Sequence, residues 1–417
     1  MKSVKISAFK THIKGSIQLP ASKSISNRAL ILQAITKQLH QTETSLLNLS
    51  EADDTAILKN ALFSKSGRIN IKNAGTCARF LCAYYAATQD AEIELYGEAR
   101  MSERPIAPLV EALRSLGAEI SYLNIEGHLP VHIKGKQLSG GSITLDSNVS
   151  SQFTSALMLV SPLLSGGLNL SLLENTVSKT YIEMTAQVMA SFGYEPLLDF
   201  GSNQITLSQT YTPKPIESYT IEADWSSAAF FYEAALLSEE AELTLSDLKL
   251  PSIQGDAIVA EWFEKLGVSS ELVQTGIKIR KTNKLPAANL AFDFTDYPDL
   301  APALICASAG AGIAIKATGL SSLVHKESNR VLALQQLLQK LHIKTESDGI
   351  NYILHDGLQR QFYHGEILST EKDHRLAMAF GMLVQYFSLV RLSDANSVIK
   401  SFPYFWEEAA KIGIERD

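Results

Sequence analysis

The sequence predicts an α/β protein of two domains. Strands alternate with helices, the alternation recurs about every 75 residues, and 417 residues exceed what a single core usually covers. The first marker of the repeat is a helix that ends in Leu or Phe, then Gly, then a strand. It appears at Leu116-Gly117-Ala118-Glu119, Phe192-Gly193-Tyr194 and Leu266-Gly267-Val268, and in altered form at Leu341-His342-Ile343 and Ile412-Gly413. Gly suits that place because it adopts the left-handed backbone that ends a helix; His342 must do so with a side chain.

The second marker is a β-rich run, a small polar cluster and an apolar helix. In chain order, Ser16–Leu19 precedes Ser22-Lys23-Ser24, Ile69–Lys72 precedes Asn73-Ala74-Gly75-Thr76, and Ile143–Asp146 precedes Ser150-Ser151-Gln152. Tyr219–Glu222 precedes Asp224 and Ser226-Ser227, Leu290–Asp293 precedes Asp299, and Gly365–Leu368 precedes Asp373-His374-Arg375. These are six strand–helix–strand–helix–strand copies, which divide three and three. The first is short: Lys23 to Thr76 spans about 53 positions, roughly 20 fewer than the others. The stretch missing between Phe63 and Ile69 is strand material, and its loss is expected to loosen that copy or expose an edge. The polar run Gly201 to Ser218, with Pro213 and Pro215, reads as a boundary or as a surface hairpin ahead of one.

Composition narrows the function. A hydrophobic share of 46% with 19% charged residues is that of a folded soluble protein. A net charge of −7 argues against a nucleic-acid binder working through bulk positive charge. Cys77, Cys82 and Cys306 form no disulfide framework or ligand set and read as buried packing. The nine histidines lack metal-ligand spacing, and no Walker loop or Gly-x-Gly-x-x-Gly follows a strand. No metal, nucleotide or other cofactor is expected. No apolar run is long enough to span a bilayer and no signal segment opens the chain, so a cytoplasmic protein is expected.

The polar clusters all stand just ahead of a helix, where unpaired N–H groups and the helix dipole favour anions. Each cluster alone reads as a cap. Several also carry side chains that capping does not require: Lys23, Arg28, Arg79, Arg104, Gln152, Lys179, Lys326, Arg330 and Arg375. Arg forks onto carboxylates and phosphates, while Lys supplies a point charge or a proton. The substrates should be phosphorylated or carboxylated small molecules.

Leu19-Pro20-Ala21-Ser22-Lys23-Ser24-Ile25-Ser26-Asn27-Arg28 resembles the N-terminal signature of the EPSP synthases, and Asn73-Ala74-Gly75-Thr76-Cys77-Ala78-Arg79 resembles a second motif of that family. Glu103-Arg104-Pro105-Ile106, Ser150-Ser151-Gln152, Ser178-Lys179-Thr180-Tyr181 and Lys326-Glu327-Ser328-Asn329-Arg330 also match. So do Asp373-His374-Arg375-Leu376-Ala377-Met378 and Lys400-Ser401-Phe402-Pro403. The eight motifs fall in order from about residue 14 to about residue 410. The resemblance implies a two-domain inverse α/β barrel of six β-α-β-α-β-β repeats that closes on substrate like a clamp. One domain would hold residues 1–20 and 223–417, the other 21–222.

The implied reaction moves the enolpyruvyl group of phosphoenolpyruvate onto the 5-hydroxyl of shikimate 3-phosphate, a step of chorismate and aromatic amino acid biosynthesis. By the same resemblance Lys23, Ser24, Arg28, Ser150, Ser151, Gln152, Ser178, Tyr181, Asp299 and Lys326 hold shikimate 3-phosphate. Lys23, Gly75 (through its backbone N–H), Arg104, Gln152, Arg330, Arg375 and Lys400 hold phosphoenolpyruvate. Lys23, Asp299 and Glu327 are the implied catalytic groups, and the two small molecules the implied partners of a monomer. Alternatives stay open for three residues: a helix cap for Asp299, a first-turn carboxylate for Glu327, and a surface ion pair for Arg79. The chain departs from the family at Ser322, where Asn is common, at Phe80, where Pro is common, and at Asn329. Two other readings remain: a related UDP-N-acetylglucosamine enolpyruvyl transferase, disfavoured because Gly97 to Pro105 lacks a loop Cys, and a binding protein that has lost catalysis.

Overall fold

In the computed structural model, which describes residues 3–146, 150–173, 176–208, 216–355 and 365–417, the repeat has one grammar. A strand leads into a helix, a second strand pairs in parallel with the first, and a second helix leads into a hairpin that pairs antiparallel. A helical crossover is what a parallel pair needs. Among the described residues the strands form six sheets, five of four strands and one of two. The chain folds as two compact units, Ser22–Ile221, and Met1–Ala21 with Glu222–Asp417. No helix among the described residues is long and apolar enough to cross a membrane.

Ser22–Ile221 contains helices α1 (Lys23–His40), α2 (Asp53–Ala61), α3 (Gly75–Ala86), α4 (Ala99–Glu103), α5 (Ala107–Ser115), α6 (Ser151–Val160) and α7 (Lys179–Ser191). Its third repeat shows the pattern whole. Gly141–Leu145 pairs in parallel with Leu168–Leu172, which pairs antiparallel with Gln204–Leu207, and that strand pairs with Leu197–Asp199. Leu168, Leu170 and Leu172 are buried, while Asn169 and Ser171 point away from the core, the period of a half-buried strand. The first repeat departs from the pattern. Ser45–Leu47 pairs only with Ser218–Thr220, and α2 runs on to the opening strand of the next repeat at Ser66. The copy therefore lacks its whole closing hairpin, and Leu47 and Phe63 are exposed. Pro213 and Pro215 of the expected boundary run lie outside the described residues.

The other unit contains α8 (Trp225–Leu237), α9 (Val259–Leu266), α10 (Ala301–Ala311), α11 (Arg330–Lys340), α12 (His374–Met382), α13 (Val384–Phe387) and α14 (Phe405–Lys411). Two strands from before Ser22 complete its sheets. His12–Ile17 pairs in parallel with Glu240–Ser246, and Ser3–Ala8 lies between Leu389–Ser393 and Ile414–Arg416. α8, α10 and α12 pack on one another and are buried almost all round, which marks them as central helices. Residues 117, 193, 267 and 413 take φ between 85° and 108°, and His342 takes 58°, so the histidine does occupy the left-handed helix stop. Cys77, Cys82 and Cys306 are buried and unbridged.

Candidate functional site

Helix capping and cation placement prove to be divided between neighbours. Ser22 Oγ accepts from Ile25 N, Ser150 Oγ from Gln152 N, Asp224 Oδ1 from Ser227 N, Asn329 Oδ1 from Leu332 N and Asp373 Oδ1 from Arg375 N. With the caps supplied by these residues, the adjacent Lys23, Gln152, Arg330 and Arg375 reach elsewhere.

In Ser22–Ile221, Lys23 Nζ donates to Asp54 Oδ2 at 3.1 Å. Arg28 is buried. Its Nε donates to Thr185 Oγ1 at 2.7 Å, and its Nη2 to Ser155 Oγ at 3.1 Å and the Tyr181 carbonyl at 3.3 Å. Nη1 donates to the Ser24 carbonyl at 2.9 Å. The guanidinium also lies 5.4 Å from the Phe80 ring centre and 5.9 Å from that of Tyr181. No carboxylate pairs with Arg28 among the described residues, and burial pushes its pKa down to about 10. It is a desolvated cation set among hydroxyls, carbonyls and rings.

Nearby elements bring a second set of expected residues together. A methyl group on Gly75 would lie 2.5 Å from Arg104 Nη1 and 2.6 Å from Nη2, so the guanidinium covers the first turn of α3. Glycine is required there by close approach. Arg79, for which a surface ion pair was an open alternative to a place in the site, is buried. Its Nη1 donates to the Gly75 carbonyl at 3.2 Å and its Nη2 to the Pro105 carbonyl at 2.6 Å, tying the start of α3 to the segment after Arg104. Gln152 Nε2 donates to Thr76 Oγ1 at 3.3 Å, and Gln152 Oε1 is buried without a partner among the described residues. Ser151 and Ser178 are buried, and Ser178 holds a left-handed φ of 58° immediately before α7, a strained conformation for serine. Lys179 faces the Phe200 ring at 5.7 Å.

The other unit gathers the remaining expected residues into one ionic network. Asp299 Oδ2 accepts from Arg375 Nη2 at 2.7 Å, and Oδ1 from Arg330 Nη1 at 3.2 Å, with Lys326 Nζ at 3.7 Å. Glu327 accepts from Arg330 Nη2 at 2.9 Å and Lys400 Nζ at 2.8 Å. Neither carboxylate caps a helix; both are held by cations. Arg330 is buried and also forks onto Asp373, with Nε to Oδ2 at 2.8 Å and Nη2 to Oδ1 at 3.2 Å. Burial works against its charge, yet Asp373, Glu327 and Asp299 together raise its pKa above the ordinary arginine value. Ser322 is buried with its hydroxyl unpartnered among the described residues.

The structure gives roles to residues for which sequence reasoning assigned none. Asp54 holds Lys23, Thr185 and Ser155 hold Arg28, Thr76 holds Gln152, and Asp373 holds Arg330. Hydroxyls inside otherwise apolar helices were the available signal for Ser155 and Thr185; Asp54 reads equally well as a first-turn dipole partner. Phe80, where the family commonly has Pro, lies against Arg28.

The model of the EPSP synthase (3-phosphoshikimate 1-carboxyvinyltransferase) family matches residues 58–409. A 3-phosphoshikimate 1-carboxyvinyltransferase of Bacteroides fragilis is 40% identical over 412 residues, 97% of this chain and 96% of the relative. One from Tolumonas auensis is 32% identical over 431 residues, 96% and 97% of the two chains. The solved EPSP synthase of Acinetobacter baumannii aligns with a TM-score of 0.76 at 22% identity over 99% of both chains, which shows the shared fold.

Proposed function

The chain belongs to the EPSP synthase family, and from that premise we propose how its residues divide the work. The reaction joins the 5-hydroxyl of shikimate 3-phosphate to C2 of phosphoenolpyruvate while C3 takes a proton. The tetrahedral adduct then releases phosphate as C3 gives a proton back. The UDP-N-acetylglucosamine reading and the non-catalytic reading are not favoured by relatives that carry the shikimate transferase name over nearly the full chain.

The observation that carries the assignment of roles is the network in which four cations, Lys326, Arg330, Arg375 and Lys400, surround the carboxylates of Asp299, Glu327 and Asp373. Phosphoenolpyruvate, with a carboxylate and a phosphate, competes for Arg330, Arg375 and Lys400. Each cation it draws off leaves Asp299 or Glu327 less neutralised and therefore more basic. Asp299 then serves the 5-hydroxyl, and Glu327 serves C3; Asp373 stays on Arg330 and keeps it oriented. Lys23, held by Asp54, joins the proton transfers at both places.

Arg28, Ser24, Ser150, Ser151, Gln152, Ser178, Tyr181 and Lys326 hold shikimate 3-phosphate, and its phosphate supplies the countercharge that Arg28 lacks among the described residues. Gly75 N–H, Arg104 and Gln152 add to the hold on phosphoenolpyruvate. Fixed cations around the leaving phosphate stabilise its developing charge. The protein acts on these two small molecules as a monomer in the cytoplasm; a dimer mass in sedimentation would correct the first of those statements.

The test is phosphate release from phosphoenolpyruvate with and without shikimate 3-phosphate. Release is expected only with both, and Lys23→Met is expected to abolish it while leaving the melting curve unchanged. Release independent of shikimate 3-phosphate, or a fully active Lys23→Met, overturns the assignment.

A further inference from the structure

Arg28 is held more tightly than a cation that only waits for an anion. It stands on α1 where α3, α6 and α7 pack against that helix, and it is 3% exposed. A guanidinium has five N–H donors. Thr185 Oγ1 takes the one on Nε, Ser155 Oγ and the Tyr181 carbonyl take those on Nη2, and the Ser24 carbonyl takes one on Nη1. One N–H, on Nη1, is left over among the described residues.

The two hydroxyls that share this work are joined to each other. Thr185 Oγ1 donates its only hydrogen to the Tyr181 carbonyl at 2.7 Å, one turn back in α7. Across the 2.9 Å between the two hydroxyl oxygens Ser155 is therefore the donor. Thr185 Oγ1 accepts twice, from Ser155 and from Arg28 Nε, and Ser155 Oγ accepts from Arg28 Nη2. Both side chains are fully buried, and both hydroxyl hydrogens are committed. Apolar side chains of the same size would serve the packing of α6 on α7, so these hydroxyls answer to the guanidinium.

We propose that Thr185 and Ser155 are positioning residues for Arg28: their joined hydroxyls lock the guanidinium so that it presents a single N–H, on Nη1, to shikimate 3-phosphate. The inference rests on Arg28 holding that substrate. The cation gives it a charge and one hydrogen bond in a fixed direction, where an unrestrained guanidinium would fork onto two oxygens. The Phe80 and Tyr181 rings, 5.4 and 5.9 Å from the guanidinium carbon, add to the constraint.

The experiment measures kcat and KM for each substrate, with the other saturating, beside melting curves. The proteins are the parent, Thr185→Val, Thr185→Ser, Ser155→Ala, Arg28→Met and the double variant that joins Arg28→Met to Thr185→Val. Thr185→Val keeps the shape but takes the acceptor from Nε. KM for shikimate 3-phosphate then rises about tenfold, the worth of one hydrogen bond to a charged group, while KM for phosphoenolpyruvate is little changed. Thr185→Ser returns KM toward the parent, and Ser155→Ala raises it less than Thr185→Val does. In the double variant Thr185→Val adds nothing, since the group it acts through is gone. An unmoved KM in Thr185→Val and Ser155→Ala overturns the proposal, as does a Thr185→Ser no better than Thr185→Val, or a Thr185→Val effect undiminished without Arg28. A rise in both KM values in step with a lower melting temperature also overturns it, because it marks a purely structural tie. Ser155→Ala carries the test if Thr185→Val fails to fold. Arg28→Met separates the two claims: an unchanged KM for shikimate 3-phosphate removes Arg28 from substrate binding, whereas a raised one beside an unaltered Thr185→Val removes only the positioning role.

Discussion

At the scale of single residues, the charges of the site are held in pairs that substrate must part. Glu327 competes with phosphoenolpyruvate for Lys400 and Arg330. Glu327→Gln should therefore lower KM for phosphoenolpyruvate while kcat falls by about 10² to 10⁴, the usual range for a lost acid–base group. A raised KM with kcat intact would remove Glu327 from the chemistry. Gly75→Ala is the complementary case. The new methyl would overlap Arg104 at 2.5 Å, and alanine is a good helix former, so the fold should persist while Arg104 is displaced. KM for phosphoenolpyruvate is expected to rise about tenfold or more, with KM for shikimate 3-phosphate little changed, as steady-state kinetics can show. The cations of these pairs were readable from the chain because they sit in short motifs. The pairings were not, because contact comes from afar: Asp54 lies 31 residues from Lys23, Asp299 76 from Arg375, and Thr185 157 from Arg28.

At the scale of elements, the helix stops were legible because a helix end is a local event. Four glycines and His342 take the left-handed turn that the Leu-Gly pattern implies. What local pattern could not reveal is a polar group inside a central helix. Glu233 of α8 is fully buried among apolar residues, and neither carboxyl oxygen has a partner among the described residues. Burial raises its pKa well above the ordinary 4.5, so it is neutral in the folded state. Above pH 4.5 the unfolded chain releases this proton and the folded one keeps it. Stability from this group is therefore full below pH 4.5 and is lost as pH rises toward the folded value, by up to about 1.4 kcal/mol per pH unit. Glu233→Gln should melt progressively higher than the parent as pH goes from 5 to 8. A gap that does not widen with pH means the carboxyl is solvated.

At the scale of the whole molecule, the repeat period was legible, and so was the shortened first copy, since about 20 missing positions are visible without a structure. What was lost, a complete hairpin, follows from pairing: Ser45–Leu47 has a neighbour on one side only. Amides of Ser45–Leu47 and Ser218–Thr220 are expected to exchange with solvent well before those of Leu168–Leu172, which is flanked on both sides. Equal protection in hydrogen-exchange mass spectrometry would show that the small sheet is supported by other means.

The threading of the chain has a consequence for its birth on the ribosome. Ser22–Ile221 is continuous and can finish as soon as it emerges, whereas the strand His12–Ile17 must wait for Glu240, and Ser3–Ala8 for Leu389–Ser393. At about 5 to 20 residues per second, Ser3 spends roughly 20 to 80 s without the strand it will join. Ser3–Ala8 is held in trust until Leu389–Ser393 is translated, and through that interval its edges stay open to other strands.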